Sequence, residues 1–264
     1  MYALSQWLHT EQGENVTESN NSQENKNTTA SNAAIGGAQA AAACENVAET
    51  KQPNPGVNES FDIVLASASP RRQQLLKREG VRFSVRVANV DETLEPDLLA
   101  NPSKAAQKLA ERKAGAIVQE ILNEGYVGML AVIGADTMVV CNGKIFGKPK
   151  NIDHARNMLS RLQGNTHQVI TGVSLWLISA PTKNDVSLGF RSFTDEAQVT
   201  FHTQTTSEID AYLALGESFD KAGAYAAQGE GAKLIKNISG SLDTVIGLPV
   251  KRLIDSYPEI FKQA

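Results

Sequence analysis

From residue 61 onward, apolar positions along the chain follow two periods, one fitting strands and the other helices. Ile63, Val64 and Leu65 form a short β-prone run, residues 66–70 read as a tight turn, and QQLLKREG continues as a helix. Ser69 is the predicted N-cap and Pro70 fits the first helical position. Residues 81–90 alternate in part (Val81, Phe83, Val85, Val87), which predicts a half-buried strand ending at Asp91 and Glu92. Asn101 and Pro102 open a long helix in which Ala106, Leu109, Ala110, Ala116, Ile117 and Ile121 keep helical spacing until Gly125. Its Lys108, Arg112 and Lys113 read most simply as a solvated basic face. Residues 129–141 are apolar except for Asp136 and Thr137, the signature of a central strand covered on both faces. Asn142 and Gly143 then predict a hairpin returning through Lys144, Ile145 and Phe146.

Gly147, Lys148 and Pro149 break that strand. A helix begins near Asn151, with Ala155, Met158, Leu159 and Leu162 on one face and Gly164 as its stop. Residues 167–178 and 190–202 predict an antiparallel pair joined by a polar loop over 181–189. Thr206 or Ser207 is expected to cap a short helix from Glu208 to Leu215. The glycine-rich stretch 217–233 has no period and carries Asp220, Lys221, Tyr225 and Gln228, so it reads as a binding loop. A strand over 232–240, a turn at Ser241 and an amphipathic helix after Pro249 complete the chain. Strands and helices mix without regular βαβ alternation, which predicts an α/β (α+β) fold with a mixed sheet.

Composition divides the chain. Across its 264 residues it is 41% hydrophobic and 20% charged, ordinary for a protein with a sizeable core. Residues 1–60 depart from this, being rich in Asn, Ala, Glu, Gln, Ser and Thr, and are expected to be a disordered low-complexity tail before a domain over 61–264. Seven glutamates against two lysines give the tail −5 of the formal −4, leaving the domain at +1. A near-neutral domain lacks the broad basic surface of a general nucleic-acid binder. The opening MYALSQWLHTEQ has neither a basic start nor a long apolar core, so no signal peptide or membrane helix is expected and the cytoplasm is the default compartment. Cys44 and Cys141 make neither a disulfide framework nor a metal-ligand spacing.

Certain polar residues need a chemical reason. Arg71 and Arg72 fall in a first helical turn, where the helix dipole disfavours cations, so an anionic ligand at the helix start accounts for them; a solvated arginine pair is the alternative. Asp136 sits inside an apolar strand, where a carboxylate is paired, bound to a metal, or held by backbone N–H groups. Gly134 before it is expected to permit a bend or the close approach of a ligand. Together Ser69, Arg71, Arg72, Lys113, Lys148 and Lys221 suit a polyphosphate, and Glu92, Asp136 and Asp220 suit a Mg²⁺ or Mn²⁺ ion bridging phosphate oxygens. That combination means nucleotide hydrolysis or phosphoryl transfer. The chain has no P-loop, GxGxxG fingerprint or kinase motif.

The motifs LASASPRRQQLL, VDET, AERKA, GADTMVV, GKP, TGV at residues 171–173, FDKAGAYAAQG, NISGS and VIGLPV, in this order, resemble the Maf family of nucleoside triphosphate pyrophosphatases over almost all of residues 61–264. The resemblance implies hydrolysis between the α and β phosphates with a divalent cation. It also implies an elongated mixed sheet with flanking helices in two lobes around a central cleft. By the family pattern Asp136 is the proton acceptor that activates water, and Arg71, Thr137 and Gln228 bear on substrate choice. Ser69, Arg72, Lys113, Lys148 and Lys221 fall at triphosphate-binding positions, with Glu92 and Asp220 as candidates for metal support. Gln228 within DKAGAYAAQG resembles the dTTP/UTP branch more than the 7-methyl-GTP branch, while Ala226-Ala227 stands where relatives often have Gly-Ile. The expected partner is a small-molecule nucleoside triphosphate, with no nucleic acid and no membrane, and a homodimer is left open. The alternatives are a 7-methyl-GTP or modified-purine pyrophosphatase of the same fold, or a non-catalytic nucleotide-binding regulator of cell division.

Overall fold

A computed structural model describes residues 60–87 and 89–261. The expected tail and Cys44 therefore lie outside the described residues, save for Ser60. Among the described residues seven strands form one sheet: β1 (Asp62–Leu65), β2 (Ser84–Val85), β3 (Gly128–Cys141), β4 (Lys144–Phe146), β5 (Thr166–Thr182), β6 (Asp185–Phe201) and β7 (Ile235–Ser239). The order is β2-β1-β3-β5-β6-β7, with β4 paired to β3. β1 runs parallel to β2 and β3, and every other pairing is antiparallel, so the sheet is mixed as expected for the α/β (α+β) class. The helices are α1 (Pro70–Arg78), α2 (Pro96–Leu99), α3 (Pro102–Asn123), α4 (Ile152–Leu162), α5 (Thr206–Ala214), α6 (Leu242–Ile246), α7 (Val250–Ser256) and α8 (Pro258–Phe261).

The two-residue period of β3 organises the core. On one face Ala131, Ile133 and Ala135 join a cluster with Leu65, Leu76, Leu175 and Leu253, whereas Val139 and Cys141 join a second one with Met158, Leu159, Val169 and Phe201. On the other face Leu130 and Val132 pack with Ile117 and Ile178, whereas Met138 and Val140 pack with Ala106, Leu109 and Ile170. The strand is thus covered on both sides, as its near-continuous apolar run implied. Thr137 falls between the two clusters of the first face and Asp136 between the two of the second. The polar break in the sequence marks the seam between two lobes.

Helix α3 lies directly on that seam. A Cβ at Gly134 would meet the Ala110 carbonyl oxygen at 2.3 Å, and one at Gly172 would meet the Ala106 carbonyl at 2.4 Å. Gly172 is the register partner of Asp136 on β5. These glycines let the helix backbone touch the sheet, which corrects the expectation that Gly134 serves a bend or a ligand's approach. What approaches is α3.

Several predicted boundaries moved. Only Ser84–Val85 of the expected strand over 81–90 pairs, with Val64 and Leu65, where β1 ends; Val85 and Val87 are exposed rather than half-buried. Arg86 is instead held by both Glu124 oxygens, at 2.7 and 2.9 Å. The expected loop over 181–189 shrinks to a turn at Lys183 and Asn184, since Val186 and Leu188 retain strand alternation and Leu188 pairs with Ile178. The short helix after β6 is capped by Thr205, not Thr206 or Ser207, in a capping box with Glu208. Helix α6 replaces the plain turn expected at Ser241, and Pro258 splits the terminal helix in two. Cys141 is buried and its thiol pKa is pushed up by that burial, in keeping with an inert thiol.

Replacing Gly172 by Ala forces the added methyl into the Ala106 backbone, which belongs to a rigid helix. The variant is expected to lose about 1–3 kcal/mol of stability by denaturant unfolding, with α3 lifted from the sheet. An unchanged unfolding midpoint would contradict the seating described.

Candidate active site

The chain leaves β1 into the turn 66–69 and enters α1 at Pro70. Gln73 makes the first backbone bond of that helix, to the Ser69 carbonyl, so the N–H groups of Arg71 and Arg72 point out of the helix start without a backbone partner. Ser69 occupies the N-cap position, but its hydroxyl makes no capping bond, a correction to the expected cap. Its N–H donates to the Ser67 hydroxyl at 3.3 Å, shaping the turn.

The two arginines have different tasks. Arg72 turns inward: Nε donates to the Gly247 carbonyl at 2.8 Å, Nη1 to the Ser67 hydroxyl at 3.0 Å and Nη2 to the Thr137 hydroxyl at 3.2 Å. Burial pulls its pKa down from the ordinary value, with Asp136 and Glu92 opposing that effect. Thr171 donates to the Thr244 carbonyl at 2.7 Å, so it must accept from Thr137, 3.0 Å away. The direction of the chain is therefore fixed: Arg72 to Thr137, Thr137 to Thr171, Thr171 to the α6 backbone. Gly247 sits at φ 126°, and a Cβ there would crowd Thr137 and Arg72. Arg71 instead reaches across to Asp220, at 3.3 Å.

At the seam, Lys113 of α3 holds Asp136 Oδ1 at 2.6 Å and Glu92 Oε1 at 2.7 Å. The side chains of Lys113 and Asp136 are only 16% and 14% exposed, while that of Glu92 is 50% exposed. Arg112, one residue earlier, donates to the carbonyls of Thr93 at 2.6 Å and Asp91 at 3.3 Å, which fixes the loop that presents Glu92. Burial acts to raise the pKa of Glu92, but the Lys113 bond and the fields of Lys113, Lys148 and Arg72 outweigh it, so the group is held below its ordinary value. This part of α3 is no mere solvated face. Only Lys108, paired with Glu111 on the exposed surface, fits that reading.

A cavity of about 610 Å³ gathers these groups. Ser67, Ser69, Arg71, Arg72, Glu92, Lys113, Asp136, Thr137, Lys148, Asp220 and Lys221 line it, and Val87, Leu94, Leu99, Leu109, Met138 and Ile145 supply apolar wall. Every predicted site residue except Gln228 belongs to the lining; Gln228 is exposed, just beyond the lining residue Ala227. Lys221 is bound to Asp220 at 2.5 Å and to the Glu217 carbonyl. The expected set of three metal-binding carboxylates is not gathered: Glu92 and Asp136 share one ammonium, whereas Asp220 joins Arg71 and Lys221. Among the described residues no group of three His, Cys, Asp or Glu side chains is arranged to hold a metal ion.

The sequence reading missed Ser67, although the alternating serines of LASASP were visible, and it missed His167. Tyr225 also lines the cavity, and its hydroxyl lies 2.8 Å from Nε2 of His167, which is buried. The two rings meet edge to face with Phe201. No sequence period marks His167 as more than one residue of a strand.

Cations and a helix start that share one cleft with carboxylates are groups able to hold a polyanionic ligand. The chain belongs to the Maf family: the family's sequence model, described as Maf-like protein, matches residues 62–259. It is 44% identical over 195 residues to a dTTP/UTP pyrophosphatase of Desulforamulus reducens, covering 74% of this chain and 94% of that protein. Proteins of the same name from Pelotomaculum thermopropionicum and Bacillus cereus are 42% and 41% identical, with 94% and 92% of their lengths covered and 74% and 73% of this chain. No helix of the described residues is long and apolar enough to cross a membrane.

Burial lowers the pKa of His167 from 6.5 to about 4. Above pH 6.5 the ring is neutral in the folded and unfolded chain alike and its contribution to stability is complete. As pH falls from 6.5 towards 4 the unfolded chain takes up a proton that the folded chain refuses, so stability is lost, by roughly 3 kcal/mol at the acid end. In His167→Gln this share of the acid loss is absent. The difference in unfolding free energy between parent and variant is therefore expected to be flat above pH 6.5 and to shift in the variant's favour between pH 6.5 and 4; a difference that ignores pH would refute the assignment.

Proposed function

We propose that the protein is a nucleoside triphosphate pyrophosphatase that cleaves dTTP and UTP to the monophosphate and pyrophosphate. The observation that carries this reading is the placement of Asp136 at the lobe seam, fixed by Lys113 and facing a helix start flanked by Arg71, Lys148 and Lys221, in a chain so similar to dTTP/UTP pyrophosphatases.

The triphosphate is taken up by the free N–H groups of α1 and by Arg71, Lys113, Lys148 and Lys221, with Arg72 keeping the turn in shape and offering its remaining N–H groups. Lys113 holds Oδ1 of Asp136, which leaves Oδ2 to accept a proton from water. The water oxygen bonds to the α-phosphorus, the bond from that phosphorus to the α–β bridging oxygen breaks, and pyrophosphate departs with the bridging oxygen. The apolar wall of the cavity suits the nucleobase, and Thr137 and the Gln228 segment are the positions proposed to bear on its choice. Glu92 and Asp136 already converge on one cation, Lys113 Nζ, and two carboxylates plus substrate oxygens are what a Mg²⁺ or Mn²⁺ ion takes, so these two residues would hold it. When bound, the ion neutralises phosphate charge.

In Asp136→Asn the shape is kept and the basicity lost. Pyrophosphate release from dTTP and UTP is expected to fall roughly a hundredfold or more, with nucleotide binding largely kept. A variant that works near the parent rate would overturn the mechanism, and a turnover panel in which 7-methyl-GTP outpaces dTTP and UTP would overturn the substrate.

The arginines separate in a second test. Arg71→Ala is expected to weaken triphosphate binding by about 1.5–3 kcal/mol with little change in stability. Arg72→Ala is expected to weaken both, because it strips donors from Ser67, Thr137 and Gly247. Calorimetric binding and thermal melts of the two variants decide the matter, and equal melts would refute the division.

A further inference from the structure

Lys148 and Lys221 sit on loops, and loops hold a charge in place only when something anchors their backbone. The segment 221–225 supplies that anchor in an unusual conformation. Gly223 and Ala224 are consecutive left-handed residues, at φ 71° and 62°, and Ala224 adopts this region despite its side chain. The N–H of Ala224 donates to the Lys221 carbonyl at 3.1 Å, and the N–H of Gly223 donates to the Gly147 carbonyl at 3.2 Å. One short bend thus ties the backbone of Lys221 to the residue before Lys148. Gly223 also rests on Val139 of β3, where a Cβ would meet both valine methyls at 3.1 Å.

The next residue, Tyr225, closes the bend. It is extended, buried, and bonded through its hydroxyl to His167 of β5, a strand paired along its length with β3. The other ring nitrogen of His167, Nδ1, is buried without a hydrogen-bond partner. The ring and the phenol share one hydrogen bond, whose donor follows the tautomer of the ring. Burial around this bond lets it act as a fixed strut between the sheet and the bend.

Resting on the pyrophosphatase reading above, we propose that His167 is a positioning residue: through Tyr225 it holds the left-handed bend at Gly223 and Ala224, and so sets the places of Lys148 and Lys221 for the triphosphate. His167 touches no substrate. Its work is felt in binding of the phosphate chain, while Asp136, fixed separately by α3, keeps the chemistry.

The test uses the full chain as Tyr225→Phe, His167→Phe, the double variant and His167→Gln, each checked for folding by circular dichroism. Two quantities are read: the KM and kcat of pyrophosphate release from dTTP, and the calorimetric affinity for inorganic tripolyphosphate. Tyr225→Phe and His167→Phe are expected to raise KM and to weaken tripolyphosphate binding roughly five- to twentyfold, with kcat within about threefold of the parent. The double variant should be no worse than the worse single one, and His167→Gln, whose amide reaches as Nε2 does, should recover most of the loss. Tyr225→Phe keeps the ring and its packing, so it stands as the test even where His167→Phe does not fold. Parent-like tripolyphosphate affinity in the folded variants, or a loss confined to kcat, overturns the proposal. A parent that binds tripolyphosphate but releases no pyrophosphate from any nucleotide defeats the pyrophosphatase reading instead, and the binding series still decides the positioning role.

Discussion

The pairing of Lys113 with Asp136 is the interaction on which the rest of the site depends. A carboxylate inside an apolar strand is stable as a charge only beside a cation, and the cation has to arrive from outside the sheet. It comes from α3, whose backbone can approach closely enough because Gly134 and Gly172 carry no side chain beneath it. A bulkier residue at either position would lift the helix and draw the ammonium away from Asp136. Replacing such a pair by well-packed apolar residues often costs a fold nothing, so stability alone does not account for placing it at the seam between two lobes. On the pyrophosphatase reading, its use is the positioning of a base.

Much of this was legible in the sequence, for a physical reason that differs from case to case. The polar interruption of residues 129–141 stood out because a strand covered on both faces tolerates charge only with a partner, and the break proved to be the lobe boundary. The helix start at Pro70 was visible because proline and serine carry local backbone preferences. What the sequence hid were effects of tertiary pairing. Val85 and Val87 alternate as a buried strand would, yet both are exposed and pairing stops at Val85, opposite Leu65, the last residue of β1. Thr205, Thr206 and Ser207 are all cap-forming residues in isolation, and the reciprocal bond to Glu208 decides among them. The two-hydroxyl chain from Arg72 to the Thr244 carbonyl joins four separated segments, and no local pattern encodes it.

Arg71 and Arg72 show how adjacent residues of one type come to differ. Successive helical positions point about 100° apart, so a pair at a helix start divides between the interior and the cleft. Arg72 faces inward and finds a carbonyl and two hydroxyls, neutral acceptors that hold a guanidinium without cancelling its charge. Arg71 faces the cleft and finds a carboxylate, which does cancel it. The inner residue therefore keeps a positive field at the floor of the cavity whatever lies above.

Three of the cleft-facing cations are, by contrast, already paired. Lys113 is shared by Glu92 and Asp136, and Asp220 is shared by Arg71 and Lys221. On the pyrophosphatase reading, an incoming triphosphate exchanges one set of anionic partners for another, and only the difference between the two appears as affinity. A ligand with several charges in a row can replace carboxylates at several cations at once, whereas a monophosphate can replace them at few. The same internal pairing, which offsets part of the cavity's positive charge without ligand, thus biases it towards the triphosphate over the monophosphate that is formed. Lys148 makes no such pair among the described contacts and is exposed at the cavity wall, so its charge is open to the phosphate chain from the outset.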